Sequence, residues 1–351
     1  MENKEVKNIN LTKRESNMEL LRIIAMLLIV FHHFAVHGNF HFDETNLNIN
    51  YLWYAFISLG GKLGVNIFIL ISGYFLVKDK EIKFDLKHIF KFIFQVLFYS
   101  VFIVLIYTII TKEPVNYQTL KATFLPIIFE KWWFVSNYFI LYLLHPFINK
   151  VLVNLNKKEY KILLIILIIC FSLIPTFLHN GISKSYLIWF ITLYCIAGYI
   201  KLHGINEKIK THHYLITFII LSLLVYLSTI GILPFKSFMN IYSPSKINTL
   251  ILAISLFMFF KNIKINNSYL INLIASATFG VYLIHDEPLM RNFLWNNLFK
   301  IATYQDSSIL IPYSILVCLI VYIACTIIEL LRKKLIENPI INVFNTKPKV
   351  K

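Results

Sequence analysis

The feature that most constrains this chain is a series of apolar runs, most of them close to twenty residues long, separated by short polar stretches. A helix rises 1.5 Å per residue, so about 20 apolar residues match the roughly 30 Å hydrocarbon layer of a bilayer. Ten runs are expected to form membrane helices, near 18–37, 52–77, 90–111, 132–149, 160–178, 185–201, 213–232, 247–260, 269–285 and 308–331, the eighth being the shortest. The first follows a polar, basic leader and lacks the small-residue cleavage site of a signal peptide, so it is expected to remain as a membrane helix. Composition removes the competing classes. Hydrophobic residues make up 58% and charged residues 15%, whereas a soluble fold carries roughly 25% charged residues. Gly and Pro, at 10 each, are too few for a barrel with frequent turns. The expected fold is an all-α membrane protein, a polytopic helical bundle of about ten transmembrane helices.

Lys and Arg number 34 against 18 Asp and Glu, a net charge of +16. In a soluble chain that balance would suggest nucleic acid, but in a membrane protein basic residues collect on cytoplasmic loops. Threading ten helices from a cytoplasmic N-terminus puts 25 basic residues on the inner side and 9 on the outer. Both termini are therefore expected in the cytoplasm, and no nucleic-acid partner is implied. The reading divides the chain into a cytoplasmic leader (1–17), a transmembrane domain (18–331) and a basic cytoplasmic tail (332–351), with no internal repeat. Cys170, Cys195, Cys318 and Cys325 lie in apolar runs without metal-ligand spacing, so neither a disulfide framework nor a metal site is expected.

Ionisable residues inside spans are expensive and mark candidate sites. The first span carries Glu19, Arg22, His32 and His33. Arg22 and His33 are eleven residues apart, which is three turns plus about 20°, so they share a face and lie roughly 16 Å apart along the axis. His32 points about 80° away. Glu19, three residues before Arg22, is placed to pair with it. Arg22 alone could simply snorkel at a helix end, and His33 could be a hydrogen-bonded structural histidine, although an imidazole also suits proton transfer. The second span offers Lys62, Asn66, Ser72 and Tyr74 among small residues at 60, 61, 64 and 73 that allow close helix approach. The fourth opens with Trp132, Trp133 and Tyr138, for which an interfacial aromatic belt is the plain explanation. The ninth ends on His285, Asp286, Glu287 and Pro288, with Arg291 beyond, a polar helix end when taken alone.

Together these segments resemble the acyltransferase 3 family of bacterial membrane proteins. Glu19, Arg22 and His33 look like its first-helix motif, Gly64 to Phe75 (GVNIFILISGYF) like its second-helix motif, and Gly280 to His285 with Pro288 like its late-helix motif. The resemblance spans essentially the whole chain. The sequence departs from the pattern at Asn66, where many members are acidic, and at Tyr138, where many have Glu. The resemblance implies a multi-pass enzyme of the bacterial cytoplasmic membrane. Its donor would be cytoplasmic acyl-CoA, acetyl-CoA first and succinyl as the other group, with no bound cofactor. Its acceptor would be a hydroxyl of a surface glycan or lipid-linked sugar. It implies His33 as general base, or as acyl-carrying nucleophile, with Arg22 holding phosphate or thioester and Glu19 orienting Arg22. Lys62, Asn66, Ser72, Tyr74, Trp133, Tyr138 and His285 are then expected to line the substrate site, and Lys87 and Lys91 to assist with donor phosphate. The alternative is a glycan or lipid-linked sugar exporter without acyl-transfer chemistry.

Overall fold

The computed structural model describes residues 14–78, 81–112, 114–178, 185–205, 208–234 and 243–340. The parts of the leader (1–17) and of the tail (332–351) that precede 14 and follow 340 lie outside them. Among the described residues the chain is helical throughout, without strands. Helix α1 spans Ser16–His37, α2 Ile49–Ser58, α3 Gly60–Leu76, α4 Leu86–Thr111, α5 Tyr117–Phe124 and α6 Trp133–Asn154. Helix α7, Lys157–Ile168, passes through a π-helical turn at Ile169–Leu173 into α8, Ile174–Phe177. Then come α9 (Tyr186–His203), α10 (Thr211–Thr229), α11 (Ile247–Asn262), α12 (Tyr269–Ser276), α13 (Thr278–His285), the short α14 (Pro288–Asn292) and α15 (Leu310–Arg332).

The polar residues between apolar runs act as caps. Asn48, Asp85, Asn116 and Ser185 each accept a backbone N–H at a helix start, and Asn156 forms a capping box with Glu159. Each cap satisfies a donor that has no partner within its helix.

Seven helical segments are long and apolar enough to cross a bilayer: Ser16–His37, Ile49–Leu76, Leu86–Thr111, Lys157–Phe177, Tyr186–His203, Thr211–Thr229 and Leu310–Ile340. The chain is a multi-pass membrane protein. The other three expected spans are also helical, but Ile247–Asn262 is short and Tyr269–His285 is broken at Ala277. Trp133–Asn154 carries several polar groups and an internal Pro146.

The span containing α3 is 67% buried and α10 only 11%, so α3 is central and α10 peripheral. Glycines set that centre. A Cβ on Gly60 would lie 2.7 Å from the Leu28 carbonyl oxygen, and one on Gly64 would lie 2.6 Å from that of Ala25. The backbones of α1 and α3 therefore touch, which in a bilayer takes small residues. On the other side Gly73 meets Ala197 and Tyr194 of α9. Exposed Ile and Leu along α10, such as Ile216, Ile219 and Leu223, give the outside of the bundle the apolar surface that lipid requires.

Both ends of the described chain meet α12. Ser16 Oγ, at the start of α1, donates to Asn272 Oδ1 (3.0 Å), and Lys333, just past α15, donates to the Ser276 carbonyl. At the opposite end Asn50 donates to the carbonyls of Gln305 and Ser307, at 2.9 Å each, tying the first turn of α2 to the loop before α15.

Candidate active site

Helices α1 and α13 bring three histidines and a carboxylate together. His33 Nδ1 lies 3.0 Å from His285 Nε2 and 3.3 Å from Asp286 Oδ1. The same Asp286 oxygen is 3.8 Å from His37 Nε2 and accepts from Arg291 Nε at 2.7 Å. For neutral rings the contacts assign the protons. His285 Nδ1 is 2.6 Å from the Val281 carbonyl oxygen, which can only accept, so that nitrogen carries the hydrogen and His285 Nε2 is a bare acceptor. With both rings neutral, His33 Nδ1 is then the donor toward His285, with the Asp286 carboxylate beside it, which leaves the lone pair on His33 Nε2. The arrangement is that of a base whose far nitrogen is oriented by a hydrogen-bond acceptor and whose protonated form would be stabilised by a nearby carboxylate.

The turn that supplies His285 and Asp286 is held firmly. Glu287 caps α14 by accepting from the N–H groups of Leu289 (2.7 Å) and Met290 (3.1 Å). Its other oxygen is 2.9 Å from Lys131 Nζ, with side chains 3% and 0% exposed for Lys131 and Glu287. Lys131 in turn donates to Ser100 Oγ at 3.1 Å. A buried ion pair therefore ties the His285–Asp286 turn to α4.

His32 points elsewhere, as its position on the helix requires. Its Nδ1 is 2.6 Å from the Ser58 carbonyl oxygen, and its ring fills the space above Gly61, where a Cβ would collide with it. At the other end of α1, Glu19 sits between two guanidinium groups, 3.4 Å from Arg14 and 3.9 Å from Arg22.

Between those two ends lies a cavity of about 210 Å³. Arg22 lines one end, and Ile29, one turn before His33, and Tyr282, one turn before His285, line the other. Ser72, Tyr138 and Phe134 form part of its walls, and the Tyr138 hydroxyl donates to Ser72 Oγ at 3.3 Å.

The remaining expected site residues separate into three groups. Lys62 Nζ lies 4.6 Å from the Trp133 ring centroid and 5.9 Å from that of Tyr186, at the His33 end. Asn66 is fully buried, accepts from Trp189 Nε1 (3.0 Å) and donates to the Pro244 carbonyl (2.7 Å), a helix-packing arrangement. Tyr74 is far from His33, at the opposite end of α3, where Lys201 Nζ (4.4 Å) and Lys261 Nζ (5.9 Å) approach its ring. Lys91 lies 3.8 Å from Glu337, and Lys87 is exposed on the first turn of α4. Neither lines the cavity.

Asp286, Arg291, His37 and the Lys131–Glu287 pair were not among the expected site residues. His37 had a signal, because it lies one turn after His33 on the same face of α1. Asp286 and Arg291 had only their adjacency to His285, and Lys131 had none. Donor atoms of His33, His37 and Asp286 lie within 4.8 Å of one another, a spacing that a metal ion could bridge. The Arg291 guanidinium already places positive charge on the shared Asp286 oxygen.

The fold and this site define a polytopic helical membrane protein with a histidine–carboxylate constellation inside its bundle. A family model described as an acyltransferase domain matches residues 15–330. The chain therefore belongs to the acyltransferase 3 family and is a membrane acyltransferase. No curated protein and no solved structure matches it.

Proposed function

We propose that this acyltransferase moves an acyl group, acetyl first and succinyl as the other, from cytoplasmic acyl-CoA to a hydroxyl of an extracytoplasmic glycan or lipid-linked sugar. The observation that carries the reading is the cavity that runs from Arg22 along α1 to Ile29, one turn short of His33. At about 210 Å³ it is smaller than the roughly 300–1,000 Å³ of pockets that enclose compact ligands. It suits a thin chain and not a nucleotide. The pantetheine arm of CoA has about thirteen bonds from phosphorus to sulfur, and at ~1.2 Å advance per bond it extends roughly 15 Å. Arg22 and His33 are separated by roughly 16 Å along α1. A phosphate held by Arg22, steadied by Glu19, would put the thioester at the height of His33.

His33 Nε2 then takes the proton of the acceptor hydroxyl as its oxygen attacks the thioester carbonyl. The tetrahedral oxyanion collapses and the carbon–sulfur bond breaks. The CoA thiolate recovers the proton from His33, giving an O-acyl ester and free CoA. His285 and Asp286 keep Nδ1–H pointed away from the reaction, and Asp286 balances the transient imidazolium charge. The acceptor enters from the end where Lys62, Trp133 and Tyr186 sit. No cofactor or metal takes part, and no nucleic acid is bound.

The same reading takes residues 18–331 as one transmembrane domain of ten helices in the bacterial cytoplasmic membrane, with leader and tail in the cytoplasm. Reconstituted protein given acetyl-CoA labelled in the acetyl group should release CoA thiol and transfer label to an alkali-labile ester on an envelope glycan fraction. Release of no thiol and transfer of no label would overturn it.

A further inference from the structure

The length match above fixes where the rest of the donor must go. With a phosphate at Arg22 and the arm running toward His33, the adenosine end hangs on the far side of Arg22, toward the start of α1. A basin of about 470 Å³ lies there, lined by Arg14, Asn17, Lys261, Lys264, Asn267 and Glu15 among others. That volume falls within the roughly 300–1,000 Å³ range of small-ligand sites. We infer that this basin is the subsite for the 3′-phosphorylated adenosine end of the donor, an inference that rests on the acyl-CoA reading.

Three observations carry it. The basin is built on a fixed frame. Asn17 Nδ2 donates to the carbonyls of Phe260 (2.9 Å) and Ile263 (3.2 Å), Asn267 Nδ2 donates to the Arg14 carbonyl (2.9 Å), and Ser16 Oγ accepts from the Ser268 N–H (2.9 Å). It is cationic where a phosphate would need it. Among the described residues no carboxylate pairs with Lys261, Lys264 or Lys201, and Lys261 shares the Tyr74 ring with Lys201. Glu15 is the acidic member of the lining, against three basic ones. The basin is also joined electrostatically to the cavity, because Glu19 lies between Arg14 (3.4 Å) and Arg22 (3.9 Å). One line of charge therefore runs from the surface basin to the cavity mouth. Lysine suits this place as a compact, mobile point charge for phosphate, and the two lysines sit on the segment that ends α11 and leads into α12.

Three donors that differ only at this end test the inference on the full chain in lipid nanodiscs: acetyl-CoA, acetyl-dephospho-CoA without the 3′-phosphate, and acetyl-4′-phosphopantetheine, which lacks the adenosine end but keeps a phosphate for Arg22. Wild type should show KM rising about tenfold on loss of the 3′-phosphate, and further on loss of the nucleotide, with kcat little changed. In Lys261→Gln/Lys264→Gln the advantage of acetyl-CoA over acetyl-4′-phosphopantetheine should collapse, while Lys261→Arg/Lys264→Arg keeps most of it. A loss equal for all three donors, or a full advantage retained in the Gln variant, overturns the subsite. Equilibrium binding of radiolabelled 3′,5′-ADP adds a readout that needs no turnover. It should survive in His33→Ala and weaken about tenfold in the Gln variant. Binding without any acyl transfer would sink the catalytic reading and keep the nucleotide site. Acyl transfer with no binding of 3′,5′-ADP would do the reverse.

Discussion

His32 and His33 are chemically alike, adjacent in sequence and committed to different tasks, which makes them a matched pair. His33 Nδ1 faces His285 and Asp286, whereas His32 Nδ1 meets the Ser58 carbonyl. His33→Ala is expected to lower kcat by about 100- to 10,000-fold, the usual range for losing a general base, with normal membrane insertion. His32→Ala should leave turnover per folded molecule near wild type and lower thermal stability, since it empties the space above Gly61. Equal activity loss in both, measured on insertion-matched protein, would remove His33 from the base role. Asp286→Asn should also reduce kcat with little change in KM, because an amide keeps the shape but not the charge that balances an imidazolium. At Arg22 the expectation rests on geometry: Lys supplies charge without the planar fork, so Arg22→Lys should insert normally and raise KM for acyl-CoA. Unchanged kinetics there would make Arg22 a topological anchor. The spacing of Glu19, Arg22 and His33 was legible in the sequence because helical periodicity alone decides which residues share a face. The partners of His33 were not, since Asp286 reaches it only through the packing of α13 on α1, some 250 residues later in the chain.

The elements are held by contacts that admit no side chain. Gly280 on α13 packs against the carboxylate of Glu329 on α15, where a Cβ would lie 2.6 Å from Oε2. Glu329 is fully buried and accepts from Tyr99 (2.7 Å), Gln95 (3.1 Å) and Arg332 (2.8 Å from Nε, 2.9 Å from Nη2). The glycine of the late-helix motif thus makes room for a buried ionic cluster that joins α4, α13 and α15. Gly280→Ala must displace Glu329 or shift α13, and α13 carries His285 at its end. It is expected to lose activity and stability together, visible as a lower melting temperature in detergent. Lys131→Met tests the other tether: removing one partner of a buried pair costs about 3–5 kcal/mol, so this variant should be less stable than Lys131→Met/Glu287→Gln, which removes the charge but keeps a capping oxygen at α14. A single variant as stable as the double would deny the pair its structural part. Sequence patterning found these helices because each apolar run is long enough to count. It read 269–285 as one span, which is one apolar helical stretch with a turn at Ala277 between α12 and α13, and it could not place the loop lysine at 131, whose partner is set by tertiary packing alone.

At the scale of the whole molecule the two ends of the bundle differ in charge and in what they join. One end collects the start of α1, α12, the end of α15, and the basic residues Arg14, Lys261, Lys264 and Lys333. The other ties the loop after α1 and the first turn of α2 to the loop before α15 through His41, Asn50 and Gln305. Basic loops stay in the cytoplasm during insertion, so the first end is expected inside and the second outside. Single cysteines read this directly. Cys195, Cys318 and Cys325 are buried and Cys170 is half-buried, so a Cys170→Ser background should be nearly silent toward a membrane-impermeant thiol reagent. In that background Asn46→Cys and Ser308→Cys, both at exposed positions of the second end, should label in sealed cells. Ile82→Cys, in the exposed polar stretch between α3 and α4, should label only after permeabilisation. The same experiment bears on the chemistry, because an inverted bundle would turn the Arg22 end of the cavity away from the acyl-CoA pool. Labelling of Ile82→Cys in sealed cells, with protection of Asn46→Cys and Ser308→Cys, would overturn both the orientation and the direction of acyl transfer that depends on it.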